Sequence, residues 1–261
     1  MVDPAKRTTG FVNSLARGLS ILEAFDSGNP EMGITELYQR TSLPKSTVHR
    51  LIKTLCDLGY VKPVEAENKY TLGPKVLSLG FTVLSSLELR EVAHPYLKDL
   101  SKSIGETVNL AILDKWQLVY VERVKTQQIV NINLHIGSRL ELFNTSMGRV
   151  LAAFQSEDWK SEYMRYLKKI PEAKNYWRDN GKKLMEILNQ VKDSGYAIND
   201  EDLAPGLRSV AFPVKNREGK VEGAVNIAVS SSLYSIERLK AKLVLPLEKT
   251  TQAISSALGY N

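Results

Sequence analysis

The chain has 261 residues, of which 43% are apolar and 25% are charged, and it carries a net charge of +6. These values exclude global disorder, and the length exceeds the roughly 100–200 residues of a common single domain. The positive charge permits binding to nucleic acid but is also common in proteins that bind none, so its distribution along the chain matters more than its total.

The N-terminal residues and the cysteine content narrow the class of protein. Residues 1–13 lack the apolar core of a signal peptide and are expected to form a flexible tail. No apolar run reaches the roughly 18 residues that a membrane span needs, which predicts a cytoplasmic protein without a membrane partner. The single cysteine, Cys56, can supply neither an internal disulfide nor the clustered thiolates of a structural zinc site, and we expect no metal and no cofactor.

Residues 14–59 have the apolar periodicity of three helices. The first begins at Ser14, a good N-cap residue, and Gly28 can end it; its apolar face is formed by Leu15, Leu19, Leu22 and Phe25. A short second helix covers residues 35–40. The third opens at Pro44, and its apolar face is formed by Val48, Leu51, Ile52, Leu55 and Leu58.

Two short β-prone runs follow the third helix. Residues 60–64 and 69–72 are separated by a turn and are predicted to pair as a hairpin. Helix, short helix, helix and hairpin, in this order, are typical of a winged helix-turn-helix. We therefore predict a mainly α-helical DNA-binding domain with a β-hairpin wing over residues 14–73.

The polar face of the third helix has the charge pattern of a helix that reads DNA. Between Glu36 and Asp57 the sequence contains no acidic residue. Hydroxyls at the helix start can bind phosphate, Arg50 can pair with a guanine edge in the major groove, and the wing lysines can face flanking phosphates. The candidate DNA-binding residues are Arg17, Thr35, Pro44, Lys45, Ser46, Thr47, His49, Arg50, Lys53, Lys62 and Lys69.

A basic face on one isolated helix is more often ordinary solvated surface than a DNA-binding site. The complete order of elements, with an acid-free third helix and a basic hairpin, reverses this preference. The predicted partner is therefore a double-stranded DNA operator.

Residues 74–88 are predicted to form a linker helix that is apolar on nearly every side. Such a helix needs burial all round, which a small winged-helix domain cannot provide. We therefore place the domain boundary here and predict a homodimer.

Residues 89–261 alternate between helical and strand-like segments. Helices are expected over 89–103, 158–169, 180–194 and from Ser235 onward, with a kink or break at Pro246. Strands are expected over 108–113, 116–124, 129–134, 208–214 and 221–229. This pattern predicts an α+β domain built on an antiparallel sheet.

Both halves of the sequence resemble the IclR family of bacterial transcriptional regulators. The resemblance is carried by SLARGLSIL at 14–22, LPKSTVHRL at 43–51, TSMGRVL at 145–151 and GLRSVA at 206–211. It implies a dimer, often a dimer of dimers, whose C-terminal domain has a GAF-like fold and binds a small metabolite. Binding of that metabolite changes operator affinity or recruitment of RNA polymerase.

Within the family, the sequence is most similar to the branch that controls aromatic-acid catabolism through the β-ketoadipate pathway and senses compounds such as protocatechuate or 4-hydroxybenzoate. The resemblance places the effector pocket at Ile129, Ile132, Leu140, Ser146, Met147, Leu207, Ser209, Asn226 and Ala228. These residues form an apolar slot with a few hydroxyl and amide groups, which suits a small planar acid.

The residues themselves indicate a helix start in this region. Asn144 or Thr145 can cap a helix that opens at Ser146, and the free amides of its first turn attract a carboxylate. Read without the resemblance, this is more often an ordinary capped helix. Arg149 can add charge to the site or can be a solvated surface residue.

Three alternatives stay open at this stage. A small aliphatic keto acid such as glyoxylate or pyruvate is disfavoured, because Ser209 stands where some keto-acid-sensing members of the family carry Cys, and Asn199 stands where those members carry an acid. A C-terminal domain that only oligomerises is the second. An enzyme is the least favoured, because the chain has three histidines and one cysteine, with no glycine-rich phosphate loop and no metal-ligand spacing.

Overall fold

The computed structural model describes residues 10–26, 28–64, 67–85, 87–126 and 134–260. The chain divides into two compact units, Met1–Ser86 and Leu87–Asn261. This division lies within the predicted linker segment 74–88, close to its C-terminal end. None of the helices in the described ranges combines the length and apolar character that crossing a bilayer requires.

The N-terminal unit has the winged helix-turn-helix architecture that the sequence predicts. Its helices are α1 (Asn13–Glu23), α2 (Ile34–Thr41) and α3 (Lys45–Asp57), followed by α4 (Lys75–Ser85). Its strands are β1 (Glu31–Gly33), β2 (Val61–Val64) and β3 (Lys69–Leu72). They form an antiparallel sheet in the order β1-β3-β2, in which β2 and β3 are the wing. Strand β1 was not predicted.

The core of this unit corrects the predicted apolar faces. Leu15 and Leu19 are 63% and 49% exposed, whereas Ile21 of α1 and the predicted Phe25, which follows the end of the helix, are buried. At the end of α3, Leu58 is exposed as well. The fully enclosed core side chains of the three helices and the sheet are Ile21, Met32, Leu37, Val48, Ile52 and Val61.

The predicted cap at Ser14 and the predicted helix end at Gly28 are also wrong. Helix α1 begins one residue earlier, at Asn13, where Val12 occupies the N-cap position and provides no side-chain cap. The helix ends at Glu23. Gly28 lies in a turn after the helix, and its amide donates a hydrogen bond to the Asp26 carboxylate. Of the predicted tail, residues 1–13, the first nine residues lie outside the part of the chain that the structure describes.

The C-terminal unit is α+β, as predicted. Its helices are α5 (Glu88–Ile104), α6 (Ser146–Ala153), α7 (Glu157–Leu167), α8 (Lys174–Trp177), α9 (Lys182–Ser194), α10 (Ile236–Leu239) and α11 (Leu245–Ala257). Its strands are β4 (Thr107–Asp114), β5 (Gln117–Val124), β6 (Arg139–Glu141), β7 (Ala197–Asp200), β8 (Leu207–Lys215) and β9 (Val221–Ser230). All neighbouring strands are antiparallel, in the order β6-β5-β4-β9-β8-β7.

The sheet has a helical layer on each face. Helices α5 and α11 pack together against the sheet, as do α6 and α9. Ala111 and Ala211 belong to the apolar cluster that includes Met147 of α6. Leu110, the neighbour of Ala111 in the sequence, lies close to Gly223, as does Leu89 of α5. Because successive side chains of a strand point to opposite faces, the two helix pairs cover opposite faces.

Two strands of this sheet, β6 and β7, escaped prediction. Of the strand expected over residues 129–134, residues 129–133 lie outside the described residues. Helices α7 and α9 begin within two residues of the predicted positions. The expected break in the C-terminal helix is a π-helical segment, Lys240–Val244, immediately before the turn that contains Pro246.

Candidate DNA-binding and effector sites

The turn between α2 and α3 fixes the start of the predicted recognition helix. Ser42 has a left-handed backbone with φ of 57°, and its amide hydrogen-bonds the carbonyl of Tyr38. Pro44 is the N-cap residue of α3 rather than its first helical residue, and its carbonyl accepts hydrogen bonds from the amides of Thr47 and Val48. The turn therefore leaves the first amides of α3 at an exposed helix end.

The predicted DNA-binding side chains of α3 share its exposed face. Val48, Ile52 and Leu55 point into the core. Thr47 is half-buried, and the exposed candidates are Pro44, Lys45, Ser46, His49, Arg50 and Lys53. The structure therefore brings the predicted residues of this helix together on one accessible surface.

The remaining DNA-binding candidates lie on other elements of the unit. Arg17 on α1, Thr35 in the first turn of α2 and Lys62 on the wing are exposed. Lys69 differs from them, because its ammonium group lies 2.8 Å from a carboxylate oxygen of Glu67. That ion pair raises the pKa of Lys69 and leaves its charge partly neutralised.

The start of α6 confirms the helix predicted at Ser146. The Thr145 hydroxyl accepts a hydrogen bond from the amide of Gly148, 3.1 Å away, and caps the helix. A Cβ at Gly148 would lie 2.4 Å from both Leu142 Cα and Thr145 Oγ1. Glycine therefore allows the helix to begin directly against the preceding loop.

The helix is joined to the sheet at its first residue. Ser146 Oγ and Ser209 Oγ lie 2.7 Å apart, and both residues are buried. Ser209 of β8 pairs in register with Ala228 of β9 and with Asn199 of β7. Paired residues of an antiparallel sheet share a face, so these residues lie under the α6 N-terminus.

Amide side chains continue this polar surface across the sheet. Asn109 Nδ2 donates to Asn226 Oδ1 at 2.7 Å, and Asn199 Nδ2 donates to the carbonyl of Asn144 at 2.7 Å. Asn109, Asn199 and Asn226 are all buried. The Oδ1 atoms of Asn109 and Asn199 are shielded from solvent and have no hydrogen-bond partner among the described residues.

One polar residue of this surface was missed by the sequence analysis. Arg123 of β5 pairs in register with Asn109 and so lies on the same face of the sheet. Its Nε and Nη1 atoms are shielded and, within the described ranges, have no hydrogen-bond partner. Simple alternation along β5 fails to place Arg123, because the register with β4 shifts between Leu110 and Ala111.

Arg149 is neither a solvated residue nor a free charge. It is buried, and its guanidinium donates to the carbonyls of Phe143 and Ile198 and forms an ion pair with Asp202, at 2.7 Å. Because its donors serve the protein itself, the structure does not support the predicted effector contact at Arg149.

The other predicted pocket residues are placed unevenly. Met147 and Leu207 are buried near the α6 N-terminus and at the start of β8. Leu140 of β6 pairs with Leu118 of β5, which in turn pairs with Leu113 of β4. Leu113 lies four residues after Asn109, so this row of leucines is about 13 Å along the strand from the row that contains Asn109. Leu140 therefore packs into the apolar cluster rather than beside the polar surface. Ile129 and Ile132 lie outside the described residues.

Comparisons with known proteins match both units. A model of the bacterial transcriptional regulator IclR C-terminal domain matches residues 81–256, and a model of the IclR helix-turn-helix domain matches residues 14–65. The Pca regulon regulatory protein of Pseudomonas putida is 34% identical over 235 residues, which are 87% of this chain and 80% of that protein.

Solved structures share the complete architecture. A regulator from Rhodococcus sp. RHA1 is 36% identical with a TM-score of 0.78, and the match covers 95% of this chain and 98% of that chain. An IclR homolog from Microbacterium hydrocarbonoxydans, in complex with 4-hydroxybenzoate, has a TM-score of 0.79 at 22% identity, covering 94% and 99% of the two chains. At that identity the likeness concerns the fold.

Proposed function

Because the chain belongs to the IclR family of DNA-binding transcriptional regulators, we propose that a small organic acid controls its binding to a specific operator. The observation that carries this proposal is the buried polar surface beneath the α6 N-terminus. Buried polar groups are normally paired, and here several amide and guanidinium atoms lack a partner among the described residues. A bound polar molecule would pair them.

The proposed DNA-binding surface is the exposed face of α3 together with the wing. Arg50 is proposed to read a base edge, while Lys45, Ser46 and Lys53 contact phosphates on either side of the groove. Lys62 extends the phosphate contacts from the wing, with a smaller contribution from the partly neutralised Lys69. Two copies of α3 would read the two halves of a near-palindromic operator.

An aromatic acid is the proposed class of effector. The Pseudomonas relative is named for the Pca regulon, and the Microbacterium homolog was solved with 4-hydroxybenzoate. In this chain, Ser146, Ser209 and Asn226 supply hydroxyl and amide groups, while Met147 and Leu207 supply apolar surface. This mixture suits a small planar acid. A small keto acid is the alternative effector.

Oligomerisation completes the proposed function. The apolar side chains Leu77, Leu79, Phe81 and Val83 of α4 are each more than half exposed. Large apolar side chains exposed in this way on one short helix are typical of a protein interface, and they support a dimer that can pair further into a tetramer. RNA polymerase is proposed as a further partner at the promoter.

The test begins with the operator. A random pool of DNA duplexes is selected against the full-length protein, and the affinity of the selected sequence is measured by fluorescence anisotropy with and without candidate effectors. The panel contains protocatechuate, 4-hydroxybenzoate, glyoxylate and pyruvate. We expect one of the aromatic acids to change the operator affinity at least tenfold and to raise the melting temperature, because a ligand of the native state stabilises it.

Each other outcome contradicts a distinct part of the proposal. A keto acid that acts in place of the aromatic acids would identify the alternative effector. If no acid changed either the affinity or the melting temperature, the C-terminal unit would be an oligomerisation module. Selection of no preferred duplex would contradict operator binding itself. Chemical conversion of any acid by the protein would revive an enzymatic function.

A further inference from the structure

We propose that Arg123 is the anion-binding residue of the effector site and holds the carboxylate of the acid. This inference rests on the proposed function, because it names the group that the effector presents and the side chain that receives it. It adds a charged contact that lies outside the residues matched to the family's pocket.

The first support is the unmet hydrogen-bonding capacity of Arg123. A guanidinium group has five N–H donors in a planar fork, and a carboxylate can accept two of them side by side. Arg123 Nε and Nη1 are shielded from solvent and have no hydrogen-bond partner among the described residues. These two atoms lie on different edges of one guanidinium group, and a carboxylate bound at either edge would pair one of them together with Nη2.

The second support is the lack of a counter-charge. Within the described residues, no carboxylate forms an ion pair with Arg123. The neighbouring Glu122 is engaged by Arg90 and His94, whose atoms each lie 3.1 Å from Glu122 Oε2. The segment that follows β5 in the sequence, residues 125–138, contains no Asp or Glu.

Burial makes this unpaired charge costly. Desolvation lowers the pKa of Arg123, which means that its surroundings already disfavour the charged form. Arginine nevertheless stays protonated in proteins, so the group persists as a cation that is partly withdrawn from solvent. Such a cation binds an anion more strongly than an exposed surface arginine does.

The third support is the position of Arg123 relative to the polar surface. Arg123, Asn109, Asn226 and Ala211 form one row across four neighbouring strands, and Ser209 lies two residues before Ala211 on β8. Strands lie about 4.8 Å apart, so the Cα atoms of Arg123 and Asn226 are about 10 Å apart. A carboxylate at Arg123 would place the remainder of a small acid over Asn109 and toward the α6 N-terminus.

By contrast, Arg149 cannot take this role. Its Nη2 atom lies 2.7 Å from Asp202 Oδ2 and also donates to the Tyr176 hydroxyl, while its Nε and Nη1 atoms donate to backbone carbonyls. Its charge is thus compensated inside the protein, whereas the charge of Arg123 is not.

The test compares acids with their neutral amides. Binding of benzoate, 4-hydroxybenzoate and pyruvate, and of the three corresponding amides, is measured by calorimetry on the full-length protein and on R123M. Methionine keeps an unbranched side chain as far as the position of Nε and removes the charged end of the guanidinium. We expect R123M to bind the preferred acid roughly 10- to 100-fold more weakly than the wild type, which is the loss of a charged hydrogen-bonded pair. The amides should bind both proteins alike.

A second readout is independent of any ligand. Because methionine replaces an unpaired, half-buried cation, ligand-free R123M should melt at the same temperature as the wild type or higher. The matched control is R139M, which removes the same charge from an exposed residue of β6 that is paired with Asp114. R139M should leave the affinity for the acid unchanged.

The possible results separate the two proposals. An acid that binds wild type and R123M with equal affinity would overturn the role of Arg123 and leave the acid-responsive function intact. If none of these acids, nor protocatechuate or glyoxylate, bound the wild type, both proposals would fall. A lower melting temperature of ligand-free R123M would show that Arg123 serves the fold instead.

Discussion

The hydroxyl oxygens of Ser146 and Ser209 lie 2.7 Å apart, and this hydrogen bond joins the first turn of α6 to the strand beneath it. Neither side chain is accessible to solvent, since the two residues are 1% and 4% exposed. The pair therefore fixes the distance between the helix N-terminus and the sheet, at the place where the effector is proposed to bind.

Removal of one partner should cost more than removal of both. Ser146→Ala and Ser209→Ala each leave a buried hydroxyl unpaired, which costs about 1–3 kcal/mol of unfolding free energy. The double variant leaves neither hydroxyl unpaired, so its cost should fall below the sum of the two. Trp116, Trp159 and Trp177 all lie in the C-terminal unit, so fluorescence during urea unfolding follows this unit. Strictly additive costs would show that the two hydroxyls are not coupled.

Gly148→Ala tests the close approach of α6 to the loop before it. A methyl group would lie 2.4 Å from Leu142 Cα and 2.5 Å from Leu142 O, and a backbone cannot yield as a flexible side chain does. We expect a loss of about 1–3 kcal/mol in the same fluorescence assay. Gly137→Ala is a useful comparison, since no atom lies near its Cβ but its φ is 90°. Its cost reports backbone strain without a clash, and Gly148→Ala should exceed it.

The charge partner of Asp26 should be visible in its titration. The hydrogen bond from Arg40 is the largest of the effects that lower the pKa of Asp26 from 3.8 to about 2. Because the folded pKa is below the ordinary value, the stabilisation is complete above pH about 4 and is lost as the pH falls toward 2. An NMR titration should give a midpoint near 2 in the wild type and a higher one in Arg40→Gln. The matched control is Arg50→Gln. Arg50 is not the ion-pair partner of Asp26, so this variant should leave the midpoint unchanged.

The DNA-binding unit was predictable because its signals are local. The apolar spacing of α3 and the alternation in the hairpin depend on residues close in sequence, and both elements were found. The three-residue strand β1 was missed because it has too few residues to show a period, and it forms only by pairing with β3. Leu15 and Leu19 were assigned to the core because periodicity reveals an apolar face but not what covers it.

The candidate effector site was less predictable because it depends on contacts between residues distant in sequence. The helix start at Ser146 carries a local capping signal and was identified. The partners of Arg149 come from positions up to 53 residues away, and nothing in the sequence pattern reveals them. Arg123 reaches the same sheet face as Asn109 only through a register irregularity between two strands, which alternation alone cannot anticipate.

Arg50 and Lys62 should affect DNA binding in different ways. Arg50→Ala removes the proposed base contact and should lower the preference for the selected operator by about 1–3 kcal/mol. Lys62→Ala removes a proposed phosphate contact, so it should weaken operator and random duplexes equally and reduce the salt dependence of binding. Both affinities are measured by anisotropy at two salt concentrations. If Arg50→Ala discriminated operator from random DNA as well as the wild type does, α3 would not read the sequence through Arg50.

Glutamate substitutions on α4 should separate the proposed dimer into monomers. Leu77 and Phe81 are each 64% exposed, and their spacing of four residues places them on one face of the helix. If this face forms the interface, Leu77→Glu with Phe81→Glu buries two charges without partners, and mass photometry should detect monomers. Ser78→Glu with Thr82→Glu adds the same charge at the same spacing on a neighbouring face and should keep more of the dimer.

The same α4 variants test whether operator binding depends on formation of the proposed dimer. Two linked recognition helices bind a two-part operator far more tightly than one, because the second half binds at a high effective concentration. The Leu77 and Phe81 double variant should therefore lose affinity for the full operator but retain the affinity of the wild type for an isolated half-site. A variant that stayed dimeric would show that the exposed face of α4 is not the dimer interface. A monomer that still bound the full operator tightly would show that pairing of α3 is not needed for recognition.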